Sequence, residues 1–212
     1  MYRLERASRL QGLAPVAGVD EAGRGPLAGP VVAACVWLPD AAPRALKGLT
    51  DSKQLKPAQR DAFFERIHGV AKGIGVGVAT VEEIDALNIL QATFLAMRRA
   101  VAGVPAARHL LVDGNMTIPG LAHSQAAVVG GDGLSWSIAA ASVIAKVTRD
   151  RMLVTLDAEF PAYGFARHKG YGTAAHYAAL RAHGLTPHHR RSFLRALPLD
   201  DMMAREAVEW GR

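Results

Sequence analysis

Apolar runs separated by turn-forming residues predict five strands in this chain. Residues 16–19 and 31–38 are apolar runs with a glycine- and proline-rich segment between them, the pattern of two strands joined by a turn. Residues 71–80 alternate small and branched side chains, which predicts a third strand. Two short runs, residues 109–114 and 125–132, each contain an acid next to glycine at their end and predict the last two strands.

Helical patterns lie between and after these strands. They cover residues 57–68, 81–102, 135–160, 174–182 and 191–196. Pro57 suits the first position of a helix, and Thr80 with Glu83 has the spacing of a capping box. Strands that alternate with helices predict a mixed α/β sheet. Because no repeat or low-complexity linker divides the chain, we expect one domain over residues 1–212, with residues 161–212 as a helical extension.

The composition restricts the class of protein. The chain has 212 residues, half of them apolar, which is enough for one full core. The single cysteine, Cys35, excludes a disulfide within the chain and zinc sites built on several cysteines, and it favours a reducing cytoplasm. No segment has the pattern of a signal core or a membrane span, so we expect a cytoplasmic protein without a membrane partner.

Positive charge is concentrated near the end of the chain. The net charge is +6, and residues 161–195 contain no Asp or Glu. A solvated helix normally mixes both signs, so this basic segment predicts a surface that faces phosphates. A basic tail without a partner is the alternative interpretation.

The acids Asp20, Glu21, Asp113 and Asp132 are isolated at the ends of apolar runs. No other acid lies between positions 6 and 39 or between positions 86 and 149. Such a pattern predicts a carboxylate-lined site at one edge of the sheet. Four carboxylates together repel one another unless a cation neutralises them, and hard divalent ions such as Mg²⁺ prefer oxygen ligands.

Each acid also has a simpler interpretation. Asp132 could cap the helix that follows it. Adjacent strand residues face opposite sides, so Asp20 and Glu21 share a metal only if their strand ends or bulges there.

Residues 23–28 match the dinucleotide-binding pattern GxGxxA. That pattern requires a helix directly after it, whereas Gly29-Pro30 and a strand follow here, so we reject a Rossmann site. The segment instead predicts a loop whose bare backbone approaches a ligand closely.

The predicted helix after Asp132 carries a polar stripe on an otherwise apolar surface. The stripe consists of Ser135, Ser142, Lys146 and Arg149, at helical spacing. Hydroxyls and a lysine in this position suit phosphate oxygens near the metals. A lysine that only reaches the surface is the alternative.

Several motifs, in the order of one family, resemble ribonuclease HII over residues 15–193. They are VDEAGRGPLAGP at 19–30, TDSK at 50–53, VDG at 112–114, GD at 131–132 with SIAAASVIAKVTRD at 137–150, HKGYGT at 168–173 and HRRSF at 189–193. The resemblance implies the RNase H-like fold, with a central mixed β-sheet flanked by helices and a C-terminal helical extension.

The resemblance also implies a function in ribonucleotide removal. The family's enzymes cleave the RNA strand of RNA–DNA hybrids and cut 5′ of single ribonucleotides embedded in duplex DNA. They use two divalent ions, Mg²⁺ or Mn²⁺. The expected products have 5′-phosphate and 3′-hydroxyl ends. We expect the same nucleic-acid partners here, and a monomer.

Matching the motifs residue by residue gives the expected site. Asp20, Glu21, Asp113 and Asp132 correspond to the catalytic, metal-binding acids. Further correspondences are ribonucleotide-reading elements at Gly23, Arg24, Gly25 and Tyr171, and phosphate contacts at Lys53, Ser142 and Lys146. Burial of Tyr171 in the core is the alternative for that residue. Gly130 stands where a lysine often precedes Gly-Asp, which weakens one possible phosphate contact.

Three other functions stay open. Ribonuclease HIII also cleaves hybrids, but it typically lacks Gly-Arg-Gly after its acid pair and has an extra N-terminal domain. Another nuclease of this fold, such as a junction resolvase, would share the acids and act on DNA alone. A non-catalytic nucleic-acid binder would need the basic segment without the acids.

Overall fold

A mixed five-stranded sheet contains all the predicted strands. In the computed structural model, which describes residues 1–41 and 43–194, the strand order is β3-β2-β1-β4-β5. The strands are β1 (Val16–Ala22), β2 (Val31–Trp37), β3 (Gly73–Ala79), β4 (His109–Asp113) and β5 (Ser124–Val128). Strand β1 pairs antiparallel with β2 and parallel with β4, and β4 pairs parallel with β5. The predicted mixed sheet is therefore confirmed.

The described residues also form seven α-helices. These are α1 (Arg3–Leu10), α2 (Pro57–Val70), α3 (Val81–Leu87), α4 (Ile89–Ala102), α5 (Trp136–Glu159), α6 (Phe165–His168) and α7 (Ala174–His183). Among the described helices, none combines the length and the apolarity needed to cross a membrane.

Helix α5 begins against strand β1. A Cβ on Gly18 would lie 2.1 Å from the carbonyl carbon of Ser137, so only glycine permits this close approach. The buried Glu5 holds the helix start, because its Oε1 accepts from the Ser135 hydroxyl at 2.7 Å and from the Ser137 N–H at 2.9 Å. These groups cap α5, so the alternative role of Asp132 as its cap is wrong.

Two helix predictions are corrected by the structure. Residues 81–102 form two helices because Asn88 adopts a φ of 74°, and its Oδ1 accepts from the N–H groups of Leu90 and Gln91 to start α4. In the predicted helix 191–196, Arg191–Phe193 forms a 3₁₀ turn, and residues 195 and 196 lie outside the described residues.

The chain forms two compact units, each built from several segments. The first unit comprises residues 1–22, 32–78 and 93–148, and the second comprises residues 23–31, 79–92 and the described chain from residue 149 onward. Val36, Phe63 and Ile144 belong to the apolar core of the first unit. Phe165 and Leu180 belong to the core of the second. The expectation of one domain over residues 1–212 stays a prediction.

Candidate active site

The strand register brings Asp20 and Asp113 together in the first unit. In the parallel β1–β4 pair, Val19 lies opposite Val112, so the next residues along the two strands are neighbours. Asp20 is 5% exposed, and its Oδ1 accepts from the Glu21 N–H at 2.7 Å. Burial first, and then the charges of Glu21 and Asp113, raise the pKa of Asp20 well above its ordinary value.

Asp132 joins these acids from the turn before α5. It lies half-buried in the 3₁₀ turn Gly131–Gly133. The Gly131 N–H donates to Oδ1 of Asp113 at 2.7 Å, which ties this turn to the end of β4. Burial, and then the charges of Asp51 and Asp113, raise the pKa of Asp132, and Asp51 also shares a hydrogen bond with its carboxyl group.

The exposed Lys53 lies in the field of all these acids. Partial burial by itself would lower the pKa of Lys53, but attraction to Asp51, Asp20, Asp132 and Asp113 outweighs burial and raises it. The Asp51 Oδ1 accepts from the Lys53 N–H at 2.8 Å, which fixes the backbone of this loop.

Asp51 is a site residue that sequence reasoning missed. It belongs to the TDSK motif, but it lies in a polar loop, where an acid is ordinary. Its contact with Asp132 joins residues 81 positions apart, and no local signal in the sequence indicates it.

The acids lie within reach of one another's charge without converging on one point. Among residues 1–41 and 43–194, no three His, Cys, Asp or Glu side chains lie close enough together to hold a metal ion. Mutual repulsion keeps uncompensated carboxylates apart. The donors are nevertheless carboxylate oxygens, which Mg²⁺ and Mn²⁺ favour, and the buried charge of Asp20 is costly unless a cation offsets it. The chemistry of these residues therefore fits a hard divalent ion.

Ser142 and Lys146 extend the site along α5. The Ser142 hydroxyl hydrogen-bonds Asp20 and lies 2.8 Å from the Ser52 hydroxyl. Lys146 is half-buried one helical turn later. Their predicted phosphate contacts stay predictions.

The other two residues of the polar stripe serve the fold. Ser135 is fully buried against Glu5, and Arg149 is 1% exposed and donates to the backbone carbonyls of Ala28 and Pro30. The predicted phosphate role is therefore wrong for Ser135, because its hydroxyl is fully enclosed and donates to Glu5.

The Gly-Arg-Gly loop and Tyr171 are neighbours within the second unit. A Cβ on Gly25 would lie 3.7 Å from Cε1 of the Tyr171 ring. Tyr171 is 47% exposed, so the alternative of core burial is wrong, and Arg24 and Gly25 are exposed as well. Only glycine fits at position 23, because its φ is 97° and a Cβ there would lie 2.1 Å from Nε of the buried Arg149.

Much of the basic segment is buried in the second unit. Arg190 is fully buried, and His168, His176 and His189 are buried too. The prediction that the segment faces phosphates is therefore wrong for these residues. It stays a prediction for the exposed side chains, among them Arg167, Arg181 and Arg191.

A cluster of acids at the ends of neighbouring strands, with a lysine in its field, defines a hydrolytic nuclease on an RNase H-like α/β fold. The family model for ribonuclease HII matches residues 17–196, and the chain belongs to this family of endoribonucleases. Enzymes of this kind depend on divalent metal ions and act on RNA–DNA hybrids.

Similar proteins from other organisms have the name of this family. The chain is 58% identical over 187 residues to Ribonuclease HII of Verminephrobacter eiseniae (strain EF01-2), covering 86% of this chain and 88% of that one. It is 55% identical over 194 residues to Ribonuclease HII of Geobacillus thermodenitrificans (strain NG80-2), covering 91% and 73%.

Solved structures confirm the fold. The ribonuclease HII in a complex with PCNA from Archaeoglobus fulgidus matches with a TM-score of 0.73 and 25% identity, over 87% of this chain and 96% of that one. The ribonuclease H2 of Pyrococcus horikoshii OT3 matches with a TM-score of 0.67 and 27% identity, over 91% and 99%. The Bst ribonuclease HIII in complex with Mn²⁺ matches with a TM-score of 0.66 at 19% identity, over 90% and 69%, which supports the fold alone.

Proposed function

We propose that this chain uses divalent metal ions to cleave the RNA strand of RNA–DNA hybrids and to cut 5′ of single ribonucleotides embedded in duplex DNA. The observation that carries the proposal is that the charge of Asp113, at the end of β4, helps to raise the pKa of both Asp20 on β1 and Asp132 in the turn before α5. Such a concentration of carboxylates is unfavourable without cations and suits phosphodiester chemistry with them.

Asp20, Glu21, Asp113 and Asp132 would hold two divalent ions, Mg²⁺ or Mn²⁺. When bound, the ions supply an activated water and stabilise the leaving 3′ oxygen of an in-line displacement at phosphorus. The chain's part is to present carboxylate oxygens at one sheet edge, and the Ser142 hydroxyl helps to orient Asp20. No side chain has to act as nucleophile, and the products have 5′-phosphate and 3′-hydroxyl ends.

The remaining residues of the proposed site bind the substrate. Lys53, whose ammonium already lies in the field of the acids, would neutralise a phosphate there, with Lys146 and Ser142 as further phosphate contacts. Gly23, Arg24, Gly25 and Tyr171 would read the ribose in the second unit, where an exposed ring lies beside an exposed glycine. We further propose that the enzyme works as a monomer in the cytoplasm.

The proposal is tested with three duplexes of one sequence: one with a single ribonucleotide, one uniform RNA–DNA hybrid and one all-DNA. In Mg²⁺ or Mn²⁺ we expect cleavage of the first two, the first at the 5′ side of the ribonucleotide, and no cleavage of the third. Cleavage of the hybrid alone would indicate a ribonuclease HIII-like enzyme. Cleavage of all-DNA would indicate a different nuclease, and binding without cleavage a non-catalytic protein.

Asp113→Asn tests the assigned acids in the same assay. The substitution removes a ligand charge at nearly constant shape, so we expect almost complete loss of turnover with duplex binding retained. Asp61→Asn is the matched control, because Asp61 is an exposed acid on α2 of the same unit. Near-normal turnover of Asp113→Asn at saturating Mg²⁺ would show that the site is wrongly assigned.

A further inference from the structure

The guanidinium of Arg190 hydrogen-bonds to backbone carbonyls in and next to the Gly-Arg-Gly loop. Its Nη1 donates to the carbonyls of Arg24 at 3.0 Å and Pro26 at 2.8 Å. Its Nη2 donates to the carbonyls of Gly23 at 2.6 Å and Gly29 at 2.7 Å, and its Nε also donates to Gly29, at 2.9 Å. These five bonds match the five N–H donors of a guanidinium, so the whole donor set of Arg190 is used on one loop.

This arginine is retained in an environment that disfavours its charge. It is fully buried, and burial, followed by repulsion from Arg149, lowers the pKa of Arg190 to about 9, while Asp85 partly opposes the shift. A buried cation is tolerated only when its donors are satisfied. A lysine has three donors on one atom and cannot span four separate carbonyls.

The bond between Arg190 and the Arg24 carbonyl also sets the direction of the next N–H group in the loop. In a trans peptide, the carbonyl of one residue and the N–H of the next point in opposite directions. Because the Arg24 carbonyl points to Arg190, the Gly25 N–H points away from Arg190. Gly25 is exposed and lies beside the Tyr171 ring.

We propose that Arg190 is a positioning residue for ribose recognition, which turns the Gly25 N–H outward as a donor to the 2′-oxygen of the ribonucleotide. The inference rests on the proposed function, because it assumes that the Gly-Arg-Gly loop reads the ribose. A 2′-hydroxyl distinguishes RNA from DNA at a single nucleotide and accepts such a bond.

Binding selectivity separates this role from a purely structural one. In the Asp113→Asn background with Mg²⁺, affinity is measured by fluorescence anisotropy for two duplexes that differ by one 2′-hydroxyl. Arg190→Lys should reduce the preference for the ribonucleotide duplex about fivefold or more, the range of one lost hydrogen bond. Arg99→Lys is the control for an arginine that donates to a backbone carbonyl in the first unit, since its Nη1 donates to the Val78 carbonyl at 2.6 Å. It should keep the preference.

The outcomes distinguish the inference from the proposed function. If the parent prefers the ribonucleotide duplex and Arg190→Lys keeps the full preference, the role of Arg190 is overturned while the proposed function stands. If the parent has no preference, the proposed function fails and this inference fails with it. If Arg190→Lys does not fold, the Gly25 amide resonance of the parent decides. It should shift with the ribonucleotide duplex more than with all-DNA, and equal shifts would overturn the inference.

Discussion

The hydroxyl oxygens of Ser52 and Ser142 lie 2.8 Å apart, and this buried contact joins the TDSK loop to helix α5. Ser142 also hydrogen-bonds Asp20. A hydroxyl has one hydrogen, and an ionised carboxylate can only accept, so in the substrate-free protein with Asp20 ionised Ser142 donates to Asp20 and Ser52 donates to Ser142. The loop that carries Lys53 and the acid on β1 are therefore linked through two side chains.

We expect Ser142→Ala to impair catalysis more than Ser52→Ala does. The first substitution removes the donor to Asp20, whereas the second leaves that bond in place. Ser142→Ala breaks two buried hydrogen bonds and Ser52→Ala breaks one, and each substitution should lower the free energy of unfolding by about 1–3 kcal/mol. Urea denaturation measures the stability of both variants, and kcat/KM on the single-ribonucleotide duplex measures the activity. Equal losses of activity at equal losses of stability would mean that the bond to Asp20 has no catalytic value.

Asp20→Asn should stabilise the metal-free protein while it abolishes turnover. The pKa of Asp20 in the folded protein is raised above its unfolded value of 3.8, first by burial and then by Glu21 and Asp113. Ionised Asp20 therefore opposes folding at neutral pH, by about 1.4 kcal/mol for each pKa unit. The amide of asparagine removes this charge and can still accept hydrogen bonds.

The comparison is made by thermal unfolding in EDTA. At neutral pH the Tm of Asp20→Asn should exceed that of the parent, and the difference should shrink towards pH 4, where the parent's Asp20 binds its proton. Glu159→Gln, at an exposed position at the end of α5, should match the parent throughout. Mg²⁺ should then raise the Tm of the parent more than that of Asp20→Asn. A lower Tm for Asp20→Asn at neutral pH would contradict the assigned charge effect.

The sequence predicted that Asp20 and Asp113 lie at the ends of strands, because the signal for this is local. Asp20 and Asp113 each end an apolar run, and the parallel register then makes them neighbours. The role of Arg190 was missed because its partners are backbone carbonyls 161 to 167 positions away in the chain, which no residue pattern encodes. A basic residue in a segment without acids looks the same whether it contacts phosphate or carbonyls.

The prediction of one helix over residues 81–102 was wrong for a related reason. The apolar spacing of residues 81–102 continues through Asn88, so periodicity predicts one helix there. The break depends on the conformation of one residue, whose side chain caps the next helix. At φ 74° and ψ 163°, Asn88 has a backbone conformation that residues other than glycine rarely adopt, so no residue pattern predicts it. Asparagine is a favoured residue at the start of a helix, and that was the signal available in the sequence.

The buried His189 should make the protein less stable in acid. Its Nδ1 accepts from the Thr186 N–H at 2.9 Å, so the ring's own hydrogen lies on Nε2, which is 3.0 Å from Nε2 of His176. Burial first, and then the neighbouring His176, lowers the pKa of His189 to about 3 from an unfolded value of 6.5. Between these two pKa values, His189 therefore binds a proton in the unfolded chain but not in the folded protein. The resulting stability is complete above pH 6.5 and is lost as the pH falls towards 3, by up to about 4 kcal/mol.

Urea denaturation at a series of pH values measures this effect. His189→Gln should flatten the dependence of the unfolding free energy on pH below 6.5, because it removes the titrating group. His183→Gln is the control, since His183 is exposed on α7 and should leave the slope unchanged. If the slope of His189→Gln equals that of the parent, the acid sensitivity has another origin.

The ring and the hydroxyl group of Tyr171 should contribute separately to the recognition of a single ribose. The ring is 47% exposed beside Gly25, and the backbone is fixed independently, since the Tyr171 carbonyl accepts from the Thr173 N–H at 2.8 Å. Tyr171→Ala should therefore sharply reduce kcat/KM on the single-ribonucleotide duplex with little loss of stability. Tyr171→Phe should retain part of the activity, because the ring can still pack against the sugar while the hydroxyl bond to the 2′-oxygen is lost. Val154→Ala removes an exposed apolar side chain from the same unit and should have no effect on cleavage. With circular dichroism confirming that each variant is folded, parent-like cleavage by Tyr171→Ala would exclude this tyrosine from ribose recognition.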